Sequence, residues 1–68
     1  MTTTDVPAAE LAKELGLTVG RLLQRADDII GRVADEQGVD AARGLTTRAH
    51  AGRIYVTAEL ANHLRETA

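Results

Sequence analysis

The 68-residue chain contains no cysteine, serine, phenylalanine or tryptophan, and its longest apolar runs are two or three residues. Without cysteine it has no disulfide framework, no thiolate nucleophile and no cysteine-based zinc site, and without serine it has no Ser-His-Asp triad. The apolar runs are too short to span a membrane, and the N-terminus lacks the basic, apolar and small-residue zones of a secretion signal. We therefore expect a soluble, cytoplasmic protein with no membrane partner.

The chain also has few large apolar residues. Sixteen residues are Leu, Ile or Val, twelve are Ala, and the single aromatic residue is Tyr55. A chain of this length buries roughly 60% of the surface that its unfolded form exposes, which predicts one domain with a thin core and no deep catalytic pocket. His50 and His63 have no acidic companion at the spacing of metal ligands. We expect neither an enzyme nor a metal site nor a cofactor.

Charge is unevenly distributed along the chain, although the net charge is only −2. Residues 1–40 carry four basic and eight acidic side chains, a net of −4, whereas residues 41–68 carry four arginines and two glutamates, a net of +2. Residues 41–58 contain three arginines, one histidine and no acid. This distribution indicates a basic surface in the second half that suits an anionic partner.

The first predicted helix covers about residues 7–15. Pro7 suits the first turn of a helix, where its missing N–H has no partner to lose. Apolar residues then recur at helical spacing, and Gly16 is a typical residue to end the helix.

The second predicted helix begins near residue 19, with Thr18 as a favourable N-cap. Its apolar residues form one stripe at a spacing of 3.6 residues. The helix either breaks at Gly31 or continues to Gln37 with Gly38 as its cap. We favour the longer version because the apolar stripe keeps its phase beyond Gly31.

A β-hairpin and a last helix are predicted in the second half. Residues 45–49 and 53–56 are the β-favouring stretches of the chain, and residues 50–52 form a short loop between them. Gly52 supplies the positive φ that such a loop requires, which is typical of a hairpin. Thr57 is then a suitable N-cap for the last helix.

The predicted order of elements is therefore helix, tight turn, helix, hairpin and helix. Asp40 is predicted to cap a single turn over residues 41–43, between the second helix and the hairpin. The predicted fold class is mainly α with a small β-hairpin, with three helices in one domain over residues 6–68. Residues 1–5 are predicted to be a flexible N-terminus.

Two segments resemble excisionase-like and MerR-type winged helix-turn-helix domains. One opens the first helix, Pro7-Ala8-Ala9-Glu10-Leu11-Ala12, and the other leads from the hairpin to the last helix, Gly52-Arg53-Ile54-Tyr55-Val56-Thr57. The resemblance implies a fold of three helices plus a wing and the binding of double-stranded DNA. It also implies that the second helix lies in the major groove and that the wing contacts the backbone or the minor groove.

Eight residues are candidates for DNA contact under this hypothesis. On the second helix, arginine pairs with guanine or phosphate and glutamine pairs with adenine; the candidates are Thr18, Arg21, Gln24 and Arg25. On the wing, basic side chains neutralise phosphates or enter a narrow minor groove; the candidates are Arg43, Arg48, His50 and Arg53. The helix residues could instead form a solvated face in which Asp28 pairs with Arg25 and Arg32, and the hairpin charges could protect a sheet edge.

One copy of the chain offers few phosphate contacts, so we expect a homodimer or a cooperative oligomer on DNA. The expected setting is the nucleoid of a bacterium or phage-infected cell, in transcription regulation, recombination directionality or nucleoid association. The acidic end of the second helix and residues 31–45 are candidates for contact with a protein partner.

The alternative to a DNA-binding protein is a protein-interaction module without DNA binding. Residues 10–18 are similar to the opening of the N-terminal module of translation initiation factor two.

Overall fold

The computed structural model describes residues 5–67, and these residues form four helices and three short strands. In chain order the elements are β1 (Val6–Pro7), α1 (Ala8–Leu15), α2 (Val19–Gln37), α3 (Val39–Ala42), β2 (Thr47–His50), β3 (Arg53–Val56) and α4 (Ala58–Glu66). The predicted class, mainly α with a small β-hairpin, is confirmed at this level. Residues 1–4 and 68, which belong to the predicted flexible N-terminus and the end of the predicted domain, lie outside the described residues.

A three-residue connection joins α1 to α2. Gly16 has φ 71°, the left-handed conformation that glycine adopts without strain, and its N–H donates to the carbonyl groups of Ala12 and Lys13. The N–H of Leu17 donates to Ala12 O at 2.8 Å, which closes the turn. Thr18 Oγ1 then accepts from the N–H of Arg21 at 3.2 Å, so α2 begins with the predicted side-chain cap.

The helix α2 runs through Gly31 without a break and ends at Gln37, which agrees with the longer of the two predicted versions. Its buried stripe continues as far as Val33, so packing holds the helix together on both sides of the glycine. Gly38, with φ 95°, ends α2 and leads directly into α3. The predicted cap at Asp40 is wrong, because Asp40 lies inside α3 and its carboxylate is 3.5 Å from Arg43.

The sheet has the order β1-β3-β2 and is antiparallel throughout. Strand β1 was not predicted: Val6 pairs with Val56 and Pro7 with Tyr55, so Pro7 ends an edge strand instead of starting the helix. Two residues are too few to show an alternating pattern in the sequence. The predicted count of three helices plus a wing is therefore corrected to four helices and a three-stranded sheet.

The hairpin turn is tighter than predicted. Ala51 and Gly52 both have positive φ, 52° and 76°, and they form a two-residue turn that matches the twist of the strands. As a result His50 belongs to β2 instead of the loop. Leu45 is buried in the core, so the strand begins two residues later than predicted, at Thr47.

One core lies between α1, α2, α4 and the end of β3. Its fully buried large side chains come from each of these elements: Leu11, Leu22, Leu60, Leu64 and Val56. The core thus fixes the hairpin to the helices through the last residue of β3. Of the other strand residues in the hairpin, Tyr55 is half-buried and the rest are exposed.

Candidate nucleic-acid interface

The pairing of β2 with β3 brings three of the predicted basic residues to one face of the hairpin. Arg48 pairs with Tyr55 and His50 with Arg53, and residues that pair directly across two antiparallel strands lie on the same face. Side chains alternate along a strand, so this face is opposite to the one that Val56 buries in the core. The outer face of the hairpin therefore carries Arg48, His50 and Arg53 next to Tyr55.

Arg43 lies beside the same region. It lines a cleft of about 230 Å³ together with Arg48, next to Thr57 and Glu59 at the start of α4. We call Arg43, Arg48, His50 and Arg53 the basic hairpin group. Its members come from two strands and the turn after α3, and the strand pairing and the start of α4 bring them together.

Asp5 and Asp40, two acidic residues outside residues 41–58, reduce the net charge of the basic hairpin group. Arg48 Nη1 is 3.9 Å from Asp5 Oδ2, and Arg43 Nε is 3.5 Å from Asp40 Oδ1. Arg43 and Asp40 are both largely exposed, so solvent screening leaves that pair weak, whereas Asp5 is only 23% exposed. Within residues 5–67, no carboxylate oxygen lies within 4.0 Å of the guanidinium group of Arg53.

The candidates on α2 lie on its exposed surface. Arg21, Gln24 and Arg25 are exposed in the first two turns, and Thr18 uses its hydroxyl oxygen as the cap described above. The pairing of Asp28 with Arg25 or Arg32, considered from the sequence, is not seen: among the described residues these arginines have no carboxylate within 4.0 Å.

The tip of the hairpin lies across a groove from the start of α2. Val19 on one side and Gly52, Arg53 and Ile54 on the other line this space of about 330 Å³, together with residues 7–10 of α1 and β1. The second helix and the hairpin, which the sequence predicts as the two DNA-contacting elements, thus approach each other at their ends.

The eight candidates do not form one continuous cluster. Arg25 lines a cleft near Thr67, after the end of α4, whereas Arg43 and Arg48 lie near the start of α4. A helix of nine residues is about 13 Å long, which separates these two positions. The structure therefore brings together the basic hairpin group, and it leaves the α2 candidates as a second set.

Two features of this region were missed in the sequence. Asp5 reaches Arg48 because β1 pairs with β3, and no local signal shows that pairing. The groove beside the hairpin tip joins residues from distant parts of the chain, so it too has no local signature.

Within residues 5–67, no helix is long and apolar enough to cross a bilayer. Nor does that part of the chain bring together three His, Asp or Glu side chains that could hold a metal ion.

Comparisons of the chain with protein-family models, with curated proteins and with solved structures return no match. We therefore infer function from the charges and contacts of this chain itself. Those contacts comprise an exposed basic face on a hairpin, an exposed start of a long helix, and a groove between the two.

Proposed function

We propose that the protein is a small winged helix-turn-helix protein that binds double-stranded DNA. In this proposal α2 enters the major groove with its first two turns, and the basic hairpin group contacts the phosphate backbone or the minor groove. The observation that carries the proposal is the register of the hairpin, which brings Arg48, His50 and Arg53 to one exposed face. The tip of the same hairpin lies near the first residue of α2.

The charge of the hairpin supports this function although the protein as a whole is acidic. Phosphate neutralisation depends on the local density of basic groups, and three of the four strand positions on the outer face of the hairpin are basic residues. Within residues 5–67, Arg53 has no carboxylate oxygen within 4.0 Å, so its guanidinium group is available to a phosphate. Strand β1 ties this wing to the start of α1, which limits its movement.

The α2 residues provide groups that read base edges. Arg21 can donate two hydrogen bonds to guanine, and Gln24 can exchange a pair of hydrogen bonds with adenine. Both side chains are exposed in the first two turns of the helix. Because one copy has few such contacts, we propose that two or more copies bind together in the nucleoid of the cytoplasm.

Salt-dependent binding to a generic DNA duplex tests the proposal. We expect the affinity of the wild-type protein to fall as salt rises, because phosphate contacts release counterions. The double variant Arg48→Ala/Arg53→Ala should bind more weakly, and its slope of log affinity against log salt should be smaller by about 0.9 for each lost contact. Fluorescence anisotropy of a labelled duplex measures both quantities.

The control is Arg32→Ala, which removes one positive charge from an exposed position in the later part of α2, as each of the two hairpin substitutions does. It should leave the salt slope near the wild-type value, although it changes the net charge by half as much as the double variant does. Thermal unfolding of each variant shows that the fold is kept. A double variant that binds DNA as tightly as the wild type, or a wild type without any salt-dependent binding, would contradict the proposal.

The second candidate function is a protein-interaction module without DNA binding. The apolar part of the groove lining, with Pro7, Ala9, Val19 and Ile54, favours it, because apolar side chains form no hydrogen bond with a phosphate. The same double variant separates the two functions: under this alternative the hairpin substitutions leave binding to a protein partner intact, and no variant or wild-type protein binds the duplex.

A further inference from the structure

The groove between the hairpin tip and the starts of α1 and α2 is an open apolar surface. Its apolar lining includes Pro7, Ala9, Val19 and Ile54, and we call it the apolar groove. Ile54 lies on the face of the hairpin that is directed at the helices, yet 38% of it is exposed because the groove is open there. A surface of this kind is typical of a contact with another protein.

A second exposed apolar residue lies elsewhere in the molecule. Val39, the first residue of α3, is 68% exposed, and within residues 5–67 it and Ile54 are the large apolar residues with exposed side chains. Asp35 and Glu36 precede Val39 in the last turn of α2, and Asp40 follows it. We call residues 35–40 the acidic tip; it combines the exposed side chain of Val39 with three acidic side chains.

The apolar groove and the acidic tip lie at opposite ends of α2. Val19 begins the helix at the groove, and Val39 follows its end after Gly38. A helix of 19 residues is about 28 Å long, which is close to the largest extent of the molecule, 29 Å. Val39 therefore cannot reach the groove of its own chain.

We infer that Val39 of one copy of this chain occupies the apolar groove of a second copy. The charges support this occupant: residues 35–40 carry three negative charges, one of which, Asp40, lies 3.5 Å from Arg43 of its own chain. Arg53 lines the groove and has no carboxylate within 4.0 Å among residues 5–67. Glu10 lies on the α1 side of the groove, so the acidic tip approaches on the hairpin side, next to Arg53.

The contact joins two different surfaces of the chain, so it is isologous when two copies make it reciprocally and heterologous when successive copies make it head to tail. Each copy has one groove and one acidic tip. Two copies can therefore pair side by side with two such contacts, or further copies can add head to tail. Either arrangement increases the number of basic hairpin groups in one assembly. The inference itself does not depend on DNA, because every contact in it is between protein surfaces.

Sedimentation equilibrium of the pure protein without DNA tests the inference. We expect the average mass of the wild type to rise with protein concentration. Val39→Glu removes the apolar residue of the acidic tip, and Ile54→Glu places a charge in the groove. The association constant of each variant should be at least about tenfold smaller, because burial of one aliphatic side chain raises an association constant about tenfold or more.

Mixing the two variants gives the decisive measurement. The Val39→Glu protein keeps an intact groove, and the Ile54→Glu protein keeps an intact acidic tip. An equimolar mixture should therefore form a heterodimer, and it should not grow further because no second intact contact is left. Asn62→Glu is the matched control, since it adds one negative charge at an exposed position of α4 and should associate like the wild type.

Circular dichroism shows whether each variant is folded, and Ile54→Thr replaces Ile54→Glu if the glutamate disrupts the strand. A wild type that stays monomeric at every concentration would overturn the inference. So would a mixture that remains monomeric, or single variants that associate as strongly as the wild type. Because DNA is absent, these results are separate from the outcome for the proposed function.

Discussion

At the scale of single residues, Thr57 is the one polar residue among residues 5–67 that is buried. Its hydroxyl group donates to Gly44 O at 2.6 Å. The same oxygen accepts from the N–H groups of Thr46 and Leu60, both at 3.4 Å. Thr57 thus caps α4 and also fixes the segment that leads from α3 into β2. The sequence predicted the cap, whereas the contacts with Gly44 and Thr46 depend on the fold.

Thr57→Val should lower the free energy of unfolding by about 2 kcal/mol. Valine has nearly the same shape, but it leaves the partly buried carbonyl group of Gly44 and the first turn of α4 without their hydrogen-bond partner. Urea denaturation followed by circular dichroism measures the change. Thr57→Ser is the matched control and should cost less than about 1 kcal/mol, because it keeps the hydroxyl group. Equal losses for both variants would show that packing of the methyl group matters more than the hydrogen bonds.

At the scale of elements, α2 is stabilised by its packing more than by its own sequence. Gly31 lies in the interior of the helix, where glycine costs roughly 0.5–1 kcal/mol relative to alanine. The helix nevertheless continues to Gln37, because its buried stripe contacts the core before and after the glycine. The length of α2 matters for the molecule, since it separates the apolar groove from the acidic tip.

Gly31→Ala should raise the free energy of unfolding by about 0.5–1 kcal/mol. A Cβ atom at this position meets no other atom within 4 Å, and the substitution reduces the freedom of the unfolded chain. The contrasting variant is Gly52→Ala. Gly52 also has open space around it, but its φ of 76° strains any other residue, so this variant should lose about 1 kcal/mol or more. Thermal and urea unfolding of the two variants check the opposite signs.

At the scale of the whole molecule, helices and sheet share a single core. Val56 at the end of β3 is completely buried in the same cluster as Leu22 and Leu60. The hairpin has only short strands and an exposed outer face, so it has little stability apart from this core. The hairpin and the helices should therefore form and unfold together.

This sharing of the core predicts one cooperative unfolding transition. Tyr55, the only aromatic residue of the chain, lies in the central strand and reports on the sheet by its fluorescence. Far-UV circular dichroism reports mainly on the helices. The urea midpoints from the two signals should coincide if the domain unfolds in a two-state manner. A fluorescence transition at lower urea than the helical one would show that the hairpin unfolds independently.

The sequence by itself determined the features that depend on neighbours along the chain. The bounds of α2, the caps at Thr18 and Thr57 and the presence of the hairpin all follow from apolar spacing, capping residues and a glycine in a turn. These signals act within a few residues, where the same hydrogen bonds form in almost any fold. The predicted edges were less accurate where packing competed, as at Leu45, which joins the core instead of β2.

Only the tertiary structure decided which distant segments meet. The pairing of β1 with β3 brings Asp5 to Arg48, and the packing of the hairpin against α1 and α2 forms the apolar groove. The tertiary structure also places Arg25 near the end of α4 and Arg43 and Arg48 near its start, although all three carry the same charge. Periodicity shows which face of an element is buried, but it contains no information on the partner that buries it, because the hydrophobic effect has no direction.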